Sequence, residues 1–168
     1  SLAAANALRC AVCLRNKSRS RPRPSILPKN GQFGDRVMCD IVYSRLCTGD
    51  TIMFVGMVDQ AIHYHVVRMI HSRNPEELLQ VVTNMWLSPL GLPTSLIVDK
   101  DGAFQGVFEN HIARSGVELE SIPADAHYQP GLIERHNAIW RNMFERIVDN
   151  LSVCDDLGAD VALSLIHI

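Results

Sequence analysis

Three apolar runs rich in β-branched residues follow one another closely in the chain, with only short polar turns between them. The runs occupy residues 37–43, 52–58 and 62–70. Runs of this length and composition are typical of β-strands, and turns this short join strands antiparallel. The central part of the chain is therefore predicted to begin with a three-stranded antiparallel meander.

Helix and strand signals alternate after the meander. Asn74-Pro75-Glu76-Glu77 has the capping residue, the proline and the acids of a helix start, and this helix is predicted to end near Trp86. A strand over 95–98, a helix over 104–114, a strand over 117–122 and a long helix from Pro130 are predicted to follow. The long helix has an apolar stripe formed by Ile133, Trp140, Phe144, Ile147 and Leu151. This order predicts an α/β fold, with a mixed five-stranded sheet of three antiparallel and then parallel strands, flanked by helices.

Charge is distributed unevenly along the 168 residues. Residues 1–34 contain seven Lys or Arg and no acid, whereas the remainder contains nine basic and eighteen acidic residues. A basic arm suits either a polyanion partner or a solvated linker, and both readings stay open. The acidic body suits a domain that concentrates carboxylates to hold divalent cations.

Composition also bears on partners and compartment. The five cysteines are odd in number, in a chain too long for a disulfide-stapled mini-protein, which favours a reducing compartment. No apolar run reaches the roughly 18 residues of a membrane helix, so no membrane partner is expected. His63 and His65 share one face of the third predicted strand, and we expect both to be exposed strand positions without a metal.

A proline-rich stretch divides the chain. Residues 16–30 contain three prolines among polar and basic residues, which predicts an extended linker. We therefore divide the chain into a stub at 1–15, a basic linker at 16–34, a main domain at 35–152 and a tail at 153–168, which we suspect to be truncated or non-native. Cys10 and Cys13 form a CxxC in the stub, which is half of a tetrahedral zinc site.

Three acidic residues fall where a sheet of this order would gather them. Asp40 lies inside the first strand and shares a face with Met38 and Val42, where an unpaired buried carboxylate is costly. Asp99 ends the fourth strand, and sites in open α/β sheets collect at the carboxyl ends of strands. Glu134 lies in the first turns of the long helix, at the margin of its apolar stripe. Each position alone also has an ordinary explanation. These are a position at the rim of the sheet for Asp40, the start of a turn for Asp99, and a first-turn acid favoured by the helix dipole for Glu134. Together, with 34 residues between Asp99 and Glu134, they are a more specific signal.

Three stretches carry a resemblance to a known family: Cys39-Asp40-Ile41, LIVDKDGAF at 96–104 and HYQPGLIERHN at 127–137. With them, the chain from about residue 36 to residue 151 resembles the integrase catalytic core of retroviruses and long-terminal-repeat retrotransposons. That family has two aspartates and a glutamate, with about this spacing between the second and the third.

The chain departs from the usual pattern of the family at two places. Two residues, instead of one, separate Asp99 from Gly102, so Asp101 competes with Asp99 for the role of the second acid. Asp99 is preferred because it ends the strand. Tyr128 stands where tryptophan is common.

The resemblance implies a ribonuclease-H-like fold and DNA integration, through 3′-end processing and strand transfer. It implies two Mg²⁺ or Mn²⁺ ions, with Asp40 bridging both while Asp99 and Glu134 each bind one; hard divalent cations of this kind prefer oxygen ligands. It also implies that Gln129, Asn137 and Arg141 contact DNA or position the loop.

The resemblance further implies partners and a place of action. The partners are the DNA ends of the element and target DNA, the enzyme is a homo-oligomer, and it acts in the nucleus on chromosomal DNA. Cys10 and Cys13 resemble the end of the family's His-His-Cys-Cys zinc module, whose histidines are missing here, so Zn²⁺ is expected only in a longer protein. The alternatives are a related ribonuclease-H-like nuclease or transposase, and an inactive remnant that only binds nucleic acid.

Overall fold

A single five-stranded sheet organises the chain in the computed structural model, which describes residues 31–122, 131–152 and 155–164. The strands are β1 Arg36–Arg45, β2 Thr51–Asp59, β3 His65–Ile70, β4 Ser95–Asp99 and β5 Glu118–Ile122. Their order in the sheet is β3-β2-β1-β4-β5. β1, β2 and β3 pair antiparallel, whereas β4 pairs parallel with β1 and β5 pairs parallel with β4. The predicted meander and the mixed sheet are confirmed.

The helices lie between and after the strands. They are α1 Pro75–Val82, α2 Ser88–Leu90, α3 Val107–Arg114, α4 Gly131–Leu151 and α5 Asp156–Ser164, and a π-helical turn at Thr83–Leu87 joins α1 to α2. The side chain of Asn74 accepts a hydrogen bond of 3.0 Å from the backbone N–H of Glu76 at the start of α1, as the capping pattern predicted. Within the described ranges, no helix has the length and apolar character needed to cross a membrane.

The two faces of the sheet pack against different helices. Val37, Cys39 and Ile41 of β1 point to the face that α1 and α3 cover. Met38 and Val42 point to the opposite face, which α4 covers. The side chains that α4 contributes there include Leu132, Ile133, Trp140 and Phe144. Alternation along β1 therefore decides which of its residues lie beneath α4.

Two predicted boundaries are wrong, each because a local turn replaces regular structure. β3 begins at His65 and not at residue 62, since the carboxylate of Asp59 accepts the backbone N–H groups of Ala61 and Ile62, both at 2.9 Å, and holds them in a turn. The second helix begins at Val107 and not at residue 104. A 3₁₀ turn at Gly102–Phe104 comes first, and Gly106, with φ 65°, separates it from α3.

The apolar stripe predicted for α4 is correct in its first three members and shifts at its end. Val148 is buried, whereas Ile147 is only partly buried and Leu151 is 50% exposed. The last turns of α4 pack against α5, whose Ala159 and Leu163 join the same apolar cluster. At this end of α4, packing against α5 therefore accompanies burial of Val148, and Leu151 stays exposed.

The cysteines described by the structure differ from one another. Cys39 is buried in β1 and free, in agreement with a core position. Cys47, in the turn between β1 and β2, is disulfide-bonded.

Candidate active site

Asp40 interrupts an otherwise apolar face of the sheet. It pairs with Gly56 across β1 and β2, and it lies between Met38, in one apolar cluster, and Val42, in another. Both clusters pack beneath α4. The carboxylate is partly buried, and polar side chains meet at its level of this face. We call the side chains of Asp40, Asn137 and His65 the polar layer.

Asn137 connects α4 to Asp40. Its Nδ2 donates a hydrogen bond of 2.9 Å to Oδ2 of Asp40, and the residue is only 3% exposed. The carboxamide occupies the space above Gly56: a Cβ added to that glycine would lie 2.8 Å from Oδ1 of Asn137. The structure thus gives Asn137 a partner within the site, while its contact with DNA stays a prediction.

Asp40 interacts electrostatically with the other two predicted acids. Burial raises the pKa of Asp40 above its ordinary value of 3.8, hydrogen bonds from the backbone of Ile41 and from Asn137 lower it, and the charges of Asp99 and Glu134 raise it again. Because β4 runs parallel to β1 with Val98 paired to Cys39, Asp99 leaves the sheet beside Asp40. Asp99 and Glu134 are exposed. The charges of the two exposed carboxylates therefore act on the partly buried one.

The structure distinguishes Asp99 from Asp101. Oδ1 of Asp101 accepts a hydrogen bond of 3.0 Å from the backbone N–H of Ala103, and its Oδ2 binds the guanidinium of Arg73. The hydrogen bond from Arg73 is the main cause that lowers the pKa of Asp101. Asp99 is instead one of the charges that act on Asp40. Asp101 is committed to the loop, and Asp99 is the better candidate for the second acid of the site.

The donor set suits a hard divalent cation. Mg²⁺ and Mn²⁺ prefer carboxylate oxygens, and a cation relieves the repulsion that raises the pKa of Asp40. In the part of the chain that the structure describes, no three His, Cys, Asp or Glu side chains converge on a single metal position. One or two carboxylates can still hold a Mg²⁺ ion, because this cation keeps several of its waters.

His65 was predicted to be exposed, and this prediction is wrong. The residue is only 5% exposed and lies at the start of β3 on the face beneath α4, where its ring centroid is 5.4 Å from that of His136. Burial is the main cause that lowers the pKa of His65 to about 4; the charge of His136 lowers it further, and the nearby carboxamide of Asn137 opposes this shift. His63 is exposed as expected, but it lies before β3, with φ 61°. The signal for a buried His65 was Gly56, a strand glycine that leaves room above the sheet.

The remaining predicted site residues divide into two groups. Arg141 is half-buried on α4, one helical turn beyond Asn137. Gln129, Cys10 and Cys13 lie outside the described residues, as do the CxxC stub and residues 16–30 of the basic linker. Their predicted roles in DNA and zinc binding stay predictions.

The order of the strands and the long helix that packs over the sheet give the chain a fold similar to that of retroviral integrase catalytic cores. The HTLV-2 integrase catalytic core domain in complex with magnesium, in its trimeric form, has a TM-score of 0.58 at 18% identity, over 83% of this chain and 86% of that one. The core domain of BIV integrase has a TM-score of 0.58 at 15% identity, over 76% of this chain and 78% of that one.

A larger assembly contains a similar domain. The simian T-cell lymphotropic virus intasome, in complex with PP2A regulatory subunit B56 gamma, has a TM-score of 0.64 at 18% identity; the match covers 92% of this chain and 55% of that one. No protein-family model matches the chain, and no curated protein matches it. At these identities, the likeness establishes the fold.

Proposed function

We propose that the chain carries the catalytic core of a retroelement integrase, which cuts and joins DNA in a reaction that depends on divalent metal ions. The observation that carries the proposal is the electrostatic effect of Asp99 and Glu134 on Asp40 on this fold: the three acids come from β1, β4 and α4, and burial together with the charges of the two exposed acids raises the pKa of the partly buried one. Carboxylates gathered in this way, on a domain built like an integrase core, are suited to phosphoryl transfer.

The acids would share the metal ions between them. Asp40 would contact both, while Asp99 and Glu134 would each hold one. Two ions held in this way would stabilise the attacking and the leaving oxygens of an in-line displacement. We propose Mg²⁺ or Mn²⁺, and the HTLV-2 core is described with magnesium. Asn137 orients the carboxylate of Asp40, and the pair of Arg73 and Asp101 holds the loop that follows Asp99.

DNA is the proposed substrate, in two roles. Water would trim the end of the element in the first reaction, and the 3′-hydroxyl that this frees would attack target DNA in the second. Arg141 on α4 is exposed in part and carries a positive charge, which suits a phosphate contact. Gln129 is proposed beside it on the resemblance of HYQPGLIERHN to the family.

Self-association and location complete the proposal. The HTLV-2 core is described in trimeric and dimeric forms, and the simian protein within an intasome, which supports a homo-oligomer here. We propose that the protein acts in the nucleus, where chromosomal DNA is the target.

The deciding experiment is strand joining and disintegration of a branched DNA substrate with Mg²⁺ or Mn²⁺. It compares the chain with Glu134→Gln, which removes the charge and keeps the shape. Glu109→Gln is the matched control, because Glu109 is an exposed acid in the first turn of α3. Activity that vanishes only in Glu134→Gln supports the proposal.

Two results would contradict parts of the proposed function. Activity unchanged by Glu134→Gln would remove that residue from the site. A native chain without activity, although folded and able to bind the branched DNA, would favour an inactive remnant that only binds nucleic acid.

A further inference from the structure

His65 is a buried histidine for which the proposed chemistry has no use. It lies on β3, the far edge strand of the antiparallel meander, yet its side chain is almost completely covered. Neither ring nitrogen has a well-formed hydrogen bond among the residues that the structure describes. Buried polar groups are rarely left in this state, so each such group calls for a physical explanation.

The imidazole of His65 and the carboxamide of Asn137 border the same small space. A Cβ added to Gly56 would lie 3.2 Å from Nε2 of His65 and 2.8 Å from Oδ1 of Asn137. Oδ1 of Asn137 is also buried and lacks a well-formed hydrogen bond within the described ranges. A neutral imidazole can donate from Nε2, and a carboxamide oxygen can only accept. The two unsatisfied atoms are therefore complementary neighbours.

We propose that His65 is a positioning residue of the active site, which holds the carboxamide of Asn137 by an Nε2–H···Oδ1 hydrogen bond and thereby sets the carboxylate of Asp40. The catalytic consequence rests on the proposed function, whereas the hydrogen bond itself does not.

The consequence for Asp40 follows from the chemistry of the carboxamide. With its oxygen held by His65, the amide directs its NH₂ group at Oδ2 of Asp40, which is the contact that the structure contains. If the amide rotated, its oxygen would face a carboxylate and would repel it. A donor that holds the oxygen of Asn137 therefore excludes the rotated orientation of its carboxamide. It also extends the polar layer from β1, across β2, to β3.

The surroundings of His65 keep its imidazole neutral. Two groups face the ring from α4: the imidazole of His136, with centroids 5.4 Å apart, and the carboxamide of Asn137. Burial and His136 hold the imidazole neutral at neutral pH, with a pKa of about 4. A neutral imidazole carries a single N–H, and we place this N–H on Nε2 of His65.

The first test reads the tautomer directly and requires no activity. Long-range ¹H–¹⁵N correlation spectra of the full chain, labelled on histidine and asparagine, report which nitrogen of His65 carries the proton. We expect a single tautomer protonated at Nε2, and a slowly exchanging side-chain NH₂ on Asn137. Protonation at Nδ1, or rapid averaging of the two tautomers, would overturn the proposal.

The second test separates positioning from packing. His65→Gln keeps an amide N–H that can donate, and His65→Leu keeps bulk without a donor. His63→Leu is the control, an exposed neighbour on the same segment. We expect His65→Leu to lose strand joining by about 10-fold, the lower end of the effect of removing a partner behind a metal ligand, because His65 acts on Asp40 through Asn137. His65→Gln should keep most of the activity, and the KM for DNA should not change in either.

The outcomes are distinguishable from failure of the proposed function. If folded His65→Leu is as active as the native chain, or if folded His65→Gln is as impaired as His65→Leu, His65 does not position Asn137. If His65→Leu fails to fold, the tautomer spectrum and His65→Gln decide. If the native chain itself is inactive, the proposed function fails, and the tautomer and the Asn137 NH₂ signal alone support or overturn the hydrogen bond.

Discussion

Arg73 binds Asp101 through its guanidinium, and this pair ties the segment before α1 to the loop that follows Asp99. The same aspartate caps the 3₁₀ turn at Gly102–Phe104. Of the two acids in the DKDG stretch, the second therefore supports the loop, and the first is left at the end of β4 beside Asp40.

Asp101→Asn should keep most of the strand-joining activity, because asparagine still accepts the N–H of Ala103. Asp99→Asn should reduce activity by more than the about 100-fold that loss of an outer partner of a metal ligand costs. Rates of strand joining for both variants, at saturating Mn²⁺, check this. The opposite ranking would exchange the roles of the two acids.

Asp40→Asn should stabilise the protein at neutral pH in the absence of metal. The pKa of Asp40 in the folded chain is raised above its ordinary value of 3.8. An acid with a raised pKa binds its proton more tightly in the folded state than in the unfolded state. Its contribution to the free energy of unfolding is therefore fully present below about pH 3.8 and is lost as the pH rises through the raised pKa. Asparagine resembles the protonated acid and avoids that loss.

The measurement for Asp40→Asn is the melting temperature in EDTA across pH, with Glu109→Gln as the control for removal of an exposed charge. The gain over the native chain should be largest at neutral pH and should shrink toward acid pH. A gain that is constant with pH would show that the charge of Asp40 is not its cause.

Mg²⁺ or Mn²⁺ should raise the melting temperature of the native chain, because a ligand that binds only the folded state stabilises it. At 100 times the dissociation constant, the gain is about 2.7 kcal/mol. EDTA should reverse the effect, and Asp40→Asn should abolish it, since Asp40 is common to both proposed ion positions. An equal shift in Asp40→Asn would place the cation elsewhere.

Gly56→Ala should lower the free energy of unfolding by about 1–3 kcal/mol, the usual cost of an added methyl group in a packed interior. Its Cβ would lie 2.8 Å from Oδ1 of Asn137, so that residue would have to move away from Asp40. Gly131→Ala is the matched control, because a Cβ at that position, the first of α4, meets no heavy atom within 4 Å. Chemical denaturation measures both. Equal stability of the two variants would show that the space above Gly56 is not filled.

The sheet and the face of Asp40 could be predicted because they depend on local patterns. Short turns fix the antiparallel pairing of β1 to β3, and alternation along β1 places Asp40 with Met38 and Val42. The position of Asp99 at the end of a strand is equally local. These features need only a period of two residues and the chemistry of turns.

The polar layer could not be predicted, because it joins residues that are distant in the chain. Asn137 is a polar residue inside an apolar stripe, and its burial depends on Asp40 of β1 and on the missing side chain of Gly56. His65 looks like an exposed strand position until α4 is placed over it. Local periodicity contains no information about which residue of another element will cover a given side chain.

The apolar clusters on either side of Asp40 have a consequence for the life of the protein in a cell. They hold α4 to the sheet without help from the carboxylate, whose charge opposes burial. A copy of the gene that lost this acid would still encode a well-folded protein. It would escape the proteases that remove unfolded chains, and it would accumulate like the original. The amount of this protein and its proposed chemistry are thus governed by different residues.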